Sequence, residues 1–273
     1  MKAAKSLWML AAILICGTTT FTSCTNEDNP ADPAANLSER IIGKWVDADI
    51  NGKPALTNEK TVMTFLSATK AINSQSRVSF TPAVPKWNNK LEFDVQISGN
   101  KVTLTGHPND SVTLVKEYII TAINDSEILS HYKHTTFRKG EAINKPEQDV
   151  RLTKVTVDYR EAVLGLWECT GLTGGETFND ANARLEFLDD GTYRYYRQDD
   201  AGQWQAVTTR EFQDYFVDGT LLATRWKNNG EDELREWWEI ESLSGNEMVW
   251  TALRQNPDDS TFQQIMTWKK IDL

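Results

Sequence analysis

Apolar and polar residues alternate in short runs along most of residues 37–273. The clearest example is the run 184–188 (Arg-Leu-Glu-Phe-Leu), which is followed by the turn residues 189–191 (Asp-Asp-Gly) and a second alternating run at 192–196. Such alternation predicts strands with one buried face, and an Asp-Gly pair between two of them predicts a tight hairpin. Further turn pairs stand at 99–100, 218–219, 229–230 and 245–246. Because no long helical period interrupts this pattern, we expect an all-β chain built from antiparallel sandwiches or up-and-down barrels.

The chain also contains an internal repeat. Five pairs of segments match in the same order, at offsets that drift from 122 to 116: 42–45 with 164–167, 63–66 with 185–188, 97–102 with 217–222, 120–129 with 240–249, and 152–155 with 268–271. Chance is a poor explanation for five collinear matches, whereas a duplicated structural unit explains them directly. We therefore expect two homologous β domains, at 37–158 and 159–273, lying close together. Each should begin with a short helical turn, at 37–42 and 160–164, ahead of a Gly-x-Trp.

The first 23 residues have the pattern of a secretion signal. Lys2 and Lys5 precede ten apolar residues at 7–16, which is far short of the ~20 residues that a transmembrane helix needs. Residues 21–24 (Phe-Thr-Ser-Cys) resemble the lipobox of bacterial lipoproteins. The resemblance implies cleavage before Cys24 and acylation of its thiol. Ordinary cleavage after Ser23, with Cys24 as a bystander, is the alternative.

Residues 24–36 are polar, contain two prolines and show no apolar periodicity, which predicts a flexible tether. Thr25, rather than Asp, follows the acylated position, as in outer-membrane rather than inner-membrane lipoproteins. Glu27 and Asp28 resemble the acidic signal that sends lipoproteins of Gram-negative gut commensals to the cell surface. We therefore expect a protein anchored in the outer membrane through its N-terminal lipid and facing the exterior.

Each half of the chain resembles a known family. A helical turn, a Gly-x-Trp that opens the first strand and a meander of short strands are similar to the lipocalin and calycin superfamily. They are most similar to the lipocalin-like domains of lipoproteins from gut commensals. The hairpins at 124–129 and 244–249 carry the Glu-apolar-apolar pattern of that group. The resemblance implies a lipocalin-like antiparallel barrel in each half, with Trp45 and Trp167 as structural plugs at one end. It implies no single activity, because fold does not fix function.

The 273 residues carry a net charge of −10 at pH 7, with 25% charged and 40% hydrophobic residues, which is typical of a globular protein. Lys2 and Lys5 are the charged residues of the first 23, so cleavage would leave a net charge of −12. Nucleic-acid binding needs a positively charged surface, and this chain is acidic, so we expect no nucleic-acid partner. Cys169 is the one cysteine beyond Cys24, and we expect it to be a buried structural thiol.

The sequence contains no G-x-S-x-G, H-E-x-x-H, Walker loop, C-x-x-C or EF-hand loop. His131 and His134 are three residues apart in a strand-rich stretch, so they should point to opposite faces and do not predict a metal site. The 39 Asp and Glu residues make chance carboxylate pairs common, and no spacing indicates a glycosidase dyad. We therefore expect no catalytic residues, no metal and no cofactor.

Tryptophan is distributed unevenly between the two repeats. The first repeat has Trp45 and Trp87, and the second has seven: Trp167, Trp204, Trp226, Trp237, Trp238, Trp250 and Trp268. Trp204, Trp226 and Trp237 fit a core least well, because they lie in polar surroundings or in the opposite strand phase to Trp238. Aromatic side chains beside polar groups suit sugar stacking or an amphiphilic ligand, so we predict these three as ligand-binding residues. Edge packing or a contact between the domains is the alternative.

Two functions from different classes follow. In the first, the lipocalin-like domains bind a small amphiphile or a glycan without catalysis. In the second, the paired domains form a structural or accessory envelope protein that docks on another membrane or surface protein and takes no small ligand. An enzyme is the least supported function, because nothing in the sequence positions an acid, a base or a nucleophile.

Overall fold

The computed structural model describes residues 32–75, 90–174 and 183–271. The predicted signal segment 1–23, Cys24 and the predicted tether as far as residue 31 lie outside these residues, as does Trp87. The described part of the chain is almost entirely antiparallel β structure, which confirms the predicted fold class. Within these three ranges, no helix is both long enough and apolar enough to cross a bilayer.

The first sheet closes into a barrel. Before it lies a one-turn helix α1 (Leu37–Arg40), and a 3₁₀ turn at Thr57–Glu59 interrupts it. Its strands are β1 Gly43–Ile50, β2 Lys53–Pro54, β3 Thr61–Ser67, β4 Lys70–Gln75, β5 Lys90–Ser98, β6 Lys101–Asn109, β7 Val112–Ile123, β8 Glu127–Arg138, β9 Glu141–Asn144 and β10 Gln148–Lys154. The order is β10-β1-β3-β4-β5-β6-β7-β8-β9, with β2 paired to β1. Strand β10 also pairs with β8, so eight strands form a continuous ring.

The second sheet follows the same meander but closes less completely. Its strands are β11 Gly165–Thr173, β12 Ala183–Phe187, β13 Tyr193–Gln198, β14 Trp204–Ala206, β15 Arg210–Asp218, β16 Leu221–Asn228, β17 Glu233–Ser244, β18 Glu247–Gln255 and β19 Thr261–Ile271. The order is β14-β13-β12-β11-β19-β18-β17-β16-β15. A bridge between Thr192 and Asp214 is the one ladder contact across the remaining gap among the described residues. The barrel is therefore loosest between β13 and β15.

The matched segments of the repeat occupy matching elements. They fall in β1 and β11, in β3 and β12, in the turns after β5 and β15, in the hairpins β7–β8 and β17–β18, and at the ends of β10 and β19. The hairpin predicted around 189–191 is present. A single turn also precedes β11, where a helical turn is predicted. Val163 N donates to the Tyr159 carbonyl at 2.9 Å and Leu164 N to the Glu161 carbonyl at 3.4 Å, as Ile41 N and Ile42 N donate to the Leu37 and Glu39 carbonyls before β1.

The glycine of each Gly-x-Trp has a conformational reason. Gly43 has a φ of 130° and Gly165 a φ of 110°, which side chains rarely adopt. A Cβ at either position would also lie 3.3 Å and 3.0 Å from the side chains of Lys154 and Lys270, respectively. A side chain at either position would therefore be strained by the backbone conformation and crowded by the lysine, which explains the glycine at the start of each barrel.

The two sheets meet through a small apolar cluster. Val46 and Val62 of the first sheet pack with Leu221 of the second, and Val155 and Phe216 lie against them. Ion pairs flank this cluster: Lys44 with Asp218, and Lys60 with Glu239 at 2.7 Å. The outer face of β16 is thus buried against the first barrel, while its inner face lines the second.

Candidate functional site

The second barrel contains a cavity of about 300 Å³. Its wall is mostly aromatic and apolar, with a few polar groups. The lining includes Leu185, Tyr193, Tyr195, Arg197, Arg210, Trp226, Leu234, Glu236, Trp238, Trp250, Met266 and Trp268. We call this cavity the aromatic cup. An apolar concavity with a few polar groups is the usual form of a small-molecule site.

Three neighbouring indoles, tilted by 42° and 43° from one ring to the next, line the aromatic cup. The ring centroids of Trp238 and Trp250 are 5.8 Å apart, and those of Trp250 and Trp268 are 4.5 Å apart. Each ring is 2% exposed. The indole nitrogens of Trp250 and Trp268 are buried and have no hydrogen-bond partner among the described residues. Two such buried donors carry a free-energy cost, which the packing of the rings must offset.

A guanidinium group stands over the polar side of the aromatic cup. Arg210 donates to the hydroxyl of Tyr193 at 3.2 Å and to Oε1 of Gln213 at 2.9 Å. Its guanidinium carbon lies 4.6 Å from the ring centroid of Tyr195 and 5.1 Å from that of Trp226. Its buried Nε has no acceptor within the described ranges. Burial lowers the pKa of Arg210, although an arginine remains charged at neutral pH.

The three tryptophans predicted to bind a ligand do not converge. Trp226 lines the aromatic cup. Trp204 begins the short strand β14 rather than lying in a loop, and the guanidinium of Arg184 covers its ring at 4.1 Å. Trp237 is half-buried on the face of β17 opposite to Trp238. The structure therefore brings Trp226 together with Trp238, Trp250 and Trp268, which were not among the predicted ligand-binding residues.

The first barrel contains a second cavity of about 280 Å³ with a polar wall. We call it the polar chamber. The inward side chains that define it are Asp47, Lys116, Tyr118, Tyr132 and His134, and exposed residues such as Glu59 and Lys145 line its mouth. Lys116 and His134 are cross-strand partners on β7 and β8. The ring centroids of Tyr118 and Tyr132 are 4.8 Å apart.

Burial is the main cause of the pKa shifts of the side chains that line the polar chamber. It lowers the pKa of Lys116 to about 8 and that of His134 to about 4, with the charges of Lys116 and Lys145 adding to the effect on His134. Burial also raises the pKa of Asp47, although hydrogen bonds from the Thr61 amide and hydroxyl, at 2.8 and 2.7 Å, oppose that shift. The pKa of Tyr118 is raised well above its ordinary value by burial. His134 and the phenols are therefore neutral at physiological pH.

Matching positions of the repeat carry different side chains in the two barrels. At offsets of 116 to 122 the pairs are Asp47 with Cys169, Lys116 with Glu236, Tyr118 with Trp238, Ser130 with Trp250, His134 with Arg254, and Leu152 with Trp268. The cavity of the first barrel is thus lined mainly by polar side chains and that of the second mainly by aromatic ones, while each barrel also has an apolar core. Cys169 is 3% exposed, as expected for a structural thiol.

Sequence reasoning missed the polar chamber entirely. The available signal was strand phase. Lys116 lies on β7 in register with the buried residues Leu114, Tyr118 and Ile120. A lysine at an inward position of an amphipathic strand is uncommon, because burying an ammonium group costs free energy. The prediction that His131 and His134 point to opposite faces is confirmed. His134 is 7% exposed, whereas the side chain of His131 is 42% exposed and pairs with Glu147 and Asp149. No group of three or more metal-ligating side chains occurs in the described ranges.

Comparisons with known proteins add little. No family model matches the chain, and no curated protein matches it. A solved structure from Bacteroides fragilis, described as a "putative outer membrane protein", has 10% sequence identity and a TM-score of 0.21, and the match covers 88% of this chain and 100% of that one. A "putative thioesterase II" from Thermobifida fusca has 8% identity and a TM-score of 0.16, with 77% and 95% covered. At these TM-scores neither likeness bears on the fold or function of this chain.

Proposed function

We propose that the protein is a lipid-anchored outer-membrane lipoprotein that faces the exterior and binds a small amphiphile, without catalysis, in the aromatic cup of its second barrel. The anchoring rests on residues 21–24 and the acidic tether that follows them. The binding rests on one observation above all. The cup is a cavity of about 300 Å³ in which aromatic rings, among them Trp226 and Trp238, line the same space as the guanidinium of Arg210.

The chemistry of the cup specifies the two ends of its ligand. Trp238, Trp250 and Trp268 offer an apolar surface for a hydrocarbon or aromatic body. Arg210 offers a partly satisfied guanidinium at the polar side. A carboxylate or sulfonate there would accept a charge-assisted hydrogen bond, which contributes about 1.5–3 kcal/mol. An amphiphile with an anionic head therefore fits the cup better than a neutral glycan.

The first test asks whether the cup is occupied. Residues 25–273 are produced without the lipid and measured by native mass spectrometry, and are then extracted with organic and aqueous solvents. A co-purified molecule of defined mass that carries an acidic group supports the proposal. If the measured mass is that of the protein alone, binding is tested with added ligands.

Added ligands are tested with the fluorescent aryl sulfonate 8-anilinonaphthalene-1-sulfonate and with dodecanoate as competitor. We expect binding that dodecanoate displaces, and a loss of roughly 10-fold in affinity in Arg210→Gln and in Trp226→Ala. Arg194→Gln is the matched control, because Arg194 is an exposed arginine that pairs with Glu186 on the outer face of β13. Equal affinity in Arg210→Gln, Trp226→Ala and the control would overturn the assignment to the cup. It would leave the accessory role, docking on another envelope protein, as the favoured function.

A further inference from the structure

The polar chamber contains a buried amine that the proposed ligand cup does not use. Lys116 is 2% exposed, yet it lines a cavity of about 280 Å³ whose mouth carries exposed residues. The amine is therefore enclosed by protein but adjoins space that a small molecule can enter. Lys116 belongs to the first barrel, so nothing in this inference depends on the aromatic cup.

The contacts of Lys116 leave its nitrogen partly unsatisfied. Nζ donates to Oδ1 of Asn73 at 2.6 Å, and Asn73 is itself held by a bond from its amide nitrogen to the Val62 carbonyl at 3.2 Å. The ammonium also lies 5.3 Å from the ring centroid of Phe93. Within the described part of the chain, no carboxylate lies within ion-pair distance of Lys116. Asp47 faces it from β1, but Oδ2 of that carboxyl already accepts two hydrogen bonds from Thr61.

Burial in this setting changes the chemistry of the amine. Desolvation lowers the pKa of Lys116 to about 8, and the charge of Lys145 acts in the same direction while that of Asp47 opposes it. At pH 8 about half of such an amine is neutral, whereas an exposed lysine with a pKa of ~10.4 is neutral to less than ~1%. The neutral amine is the nucleophilic form.

Groups that can move protons surround the amine. His134 faces Lys116 across the β7–β8 ladder and is neutral. The hydroxyl of Tyr118, a residue only 7% exposed, makes no hydrogen bond to any residue in the described ranges. The other titratable groups that face the chamber come from β1, the 3₁₀ turn and the residue after it, β8 and the loop after β9: Asp47, Glu59, Lys60, Tyr132 and Lys145.

We propose that the polar chamber is a covalent capture site in which Nζ of Lys116 forms a reversible imine with a small polar aldehyde. The neutral amine attacks the carbonyl carbon, and the nitrogen gives up a proton as the carbonyl oxygen gains one, which yields a carbinolamine. The carbinolamine then loses its hydroxyl group and the second N–H proton as water, leaving a C=N bond. One aldehyde and one amine thus give one imine and one water, with no oxidant or reductant. His134 and the Tyr118 hydroxyl are placed to relay these protons.

Site-resolved reductive trapping tests the proposal. The full chain, in a nonionic detergent, is treated with glycolaldehyde and sodium cyanoborohydride between pH 6.5 and 10.5, and each lysine is quantified by peptide mapping. We expect Lys116 to be labelled roughly 10-fold or more faster than exposed lysines such as Lys53 at pH 8. Its labelling should level off above pH 8 to 9, whereas that of Lys53 should continue to rise.

Two variants separate a reactive amine from a packed one. Tyr118→Phe keeps the ring and should slow labelling of Lys116 several-fold without moving the labelling of Lys53. Lys116→Met should remove the fast-labelling site, with Lys53→Met as the matched control that leaves it in place. Labelling of Lys116 that is slower than that of Lys53 at every pH would overturn the proposal. This comparison of Lys116 with Lys53 is made in the unsubstituted protein, so it does not depend on whether a variant folds.

Discussion

Trp45 and Trp167 make the same hydrogen bond in the two barrels. The indole N–H of each donates to the carbonyl four residues earlier, Ile41 in one case and Val163 in the other, and both distances are 2.7 Å. Both rings are fully buried. The bond ties the first strand of each barrel to the turn that precedes it, so the repeat is visible at the level of single atoms.

The first prediction concerns this bond. Trp167→Phe should lower the free energy of unfolding by about 2–3 kcal/mol, because it leaves the Val163 carbonyl without its donor and leaves space where the larger ring packed. Trp204→Phe is the matched control, since that ring is half-buried on strand β14. Urea unfolding followed by circular dichroism measures both. Equal losses in the two variants would contradict the structural importance of the bond.

A second prediction concerns the ion pair on the outer face of the second barrel. Nε of Arg225 donates to Oδ1 of Asp214 at 2.8 Å, and both side chains are 3% exposed. Asp214→Asn should lower the free energy of unfolding by about 3–5 kcal/mol, because it removes the nearest carboxylate from a buried guanidinium and the more distant Glu233, at 3.6 Å, does not replace it. Asp94→Asn breaks the exposed pair with Lys70 and should change stability little. Denaturant midpoints that fall equally in both variants would show that burial does not set the strength of these pairs.

The third prediction concerns pH. The pKa of His134 is lowered to about 4 by burial, whereas an unfolded histidine titrates near ~6.5. Between these values the unfolded chain binds a proton that the folded chain does not, so stability should fall as pH falls from about 6.5 to 4. His134→Gln should remove this slope, a difference of about 1–3 kcal/mol across the window. The measurement is denaturant unfolding at several pH values.

His131 supplies the control for the pH experiment. Its pKa is raised by hydrogen bonds to Glu147 and then Asp149, so its contribution is present below about 6.5 and is lost as pH rises through its folded-state pKa. His131→Gln should therefore lower stability by a constant amount below about pH 6.5 and leave the slope between pH 6.5 and 4 in place. A flat profile in the unsubstituted protein would contradict the burial of His134.

The fourth prediction concerns the junction between the barrels. Leu221 and Leu222 are adjacent and fully buried, but Leu221 packs with Val46 and Val62 of the first sheet, whereas Leu222 belongs to the core of the second barrel. We expect the unsubstituted chain to unfold in one calorimetric transition because the barrels share an apolar contact. Leu221→Ala should split or broaden that transition. Leu222→Ala should shift it to lower temperature without splitting it, a loss of about 2–5 kcal/mol. Two separate transitions in the unsubstituted chain would show that the contact does not couple the barrels.

Local patterns determined the secondary structure and its repetition. The alternation at 184–188 and 192–196, with an Asp-Gly between them, specified one hairpin because strand phase and turn chemistry act over a few residues. The same reasoning located the turns at 99–100, 218–219 and 245–246. The short turns before β1 and β11 were also predictable, because each is closed by a hydrogen bond between residues four apart.

Cavities are not local, and the sequence could not specify them. Trp226 and Trp237 both lie in polar surroundings along the chain, yet one lines the aromatic cup and the other lies on the outer face of β17. Lys116, Asp47 and His134 are spread over 88 positions of the sequence and meet because strands β1, β7 and β8 curve into one ring. The sequence determined which residues alternate and which segments repeat, because those properties depend on near neighbours. Closure of the barrels decided which side chains share an interior, because that depends on strand order and register across the whole sheet.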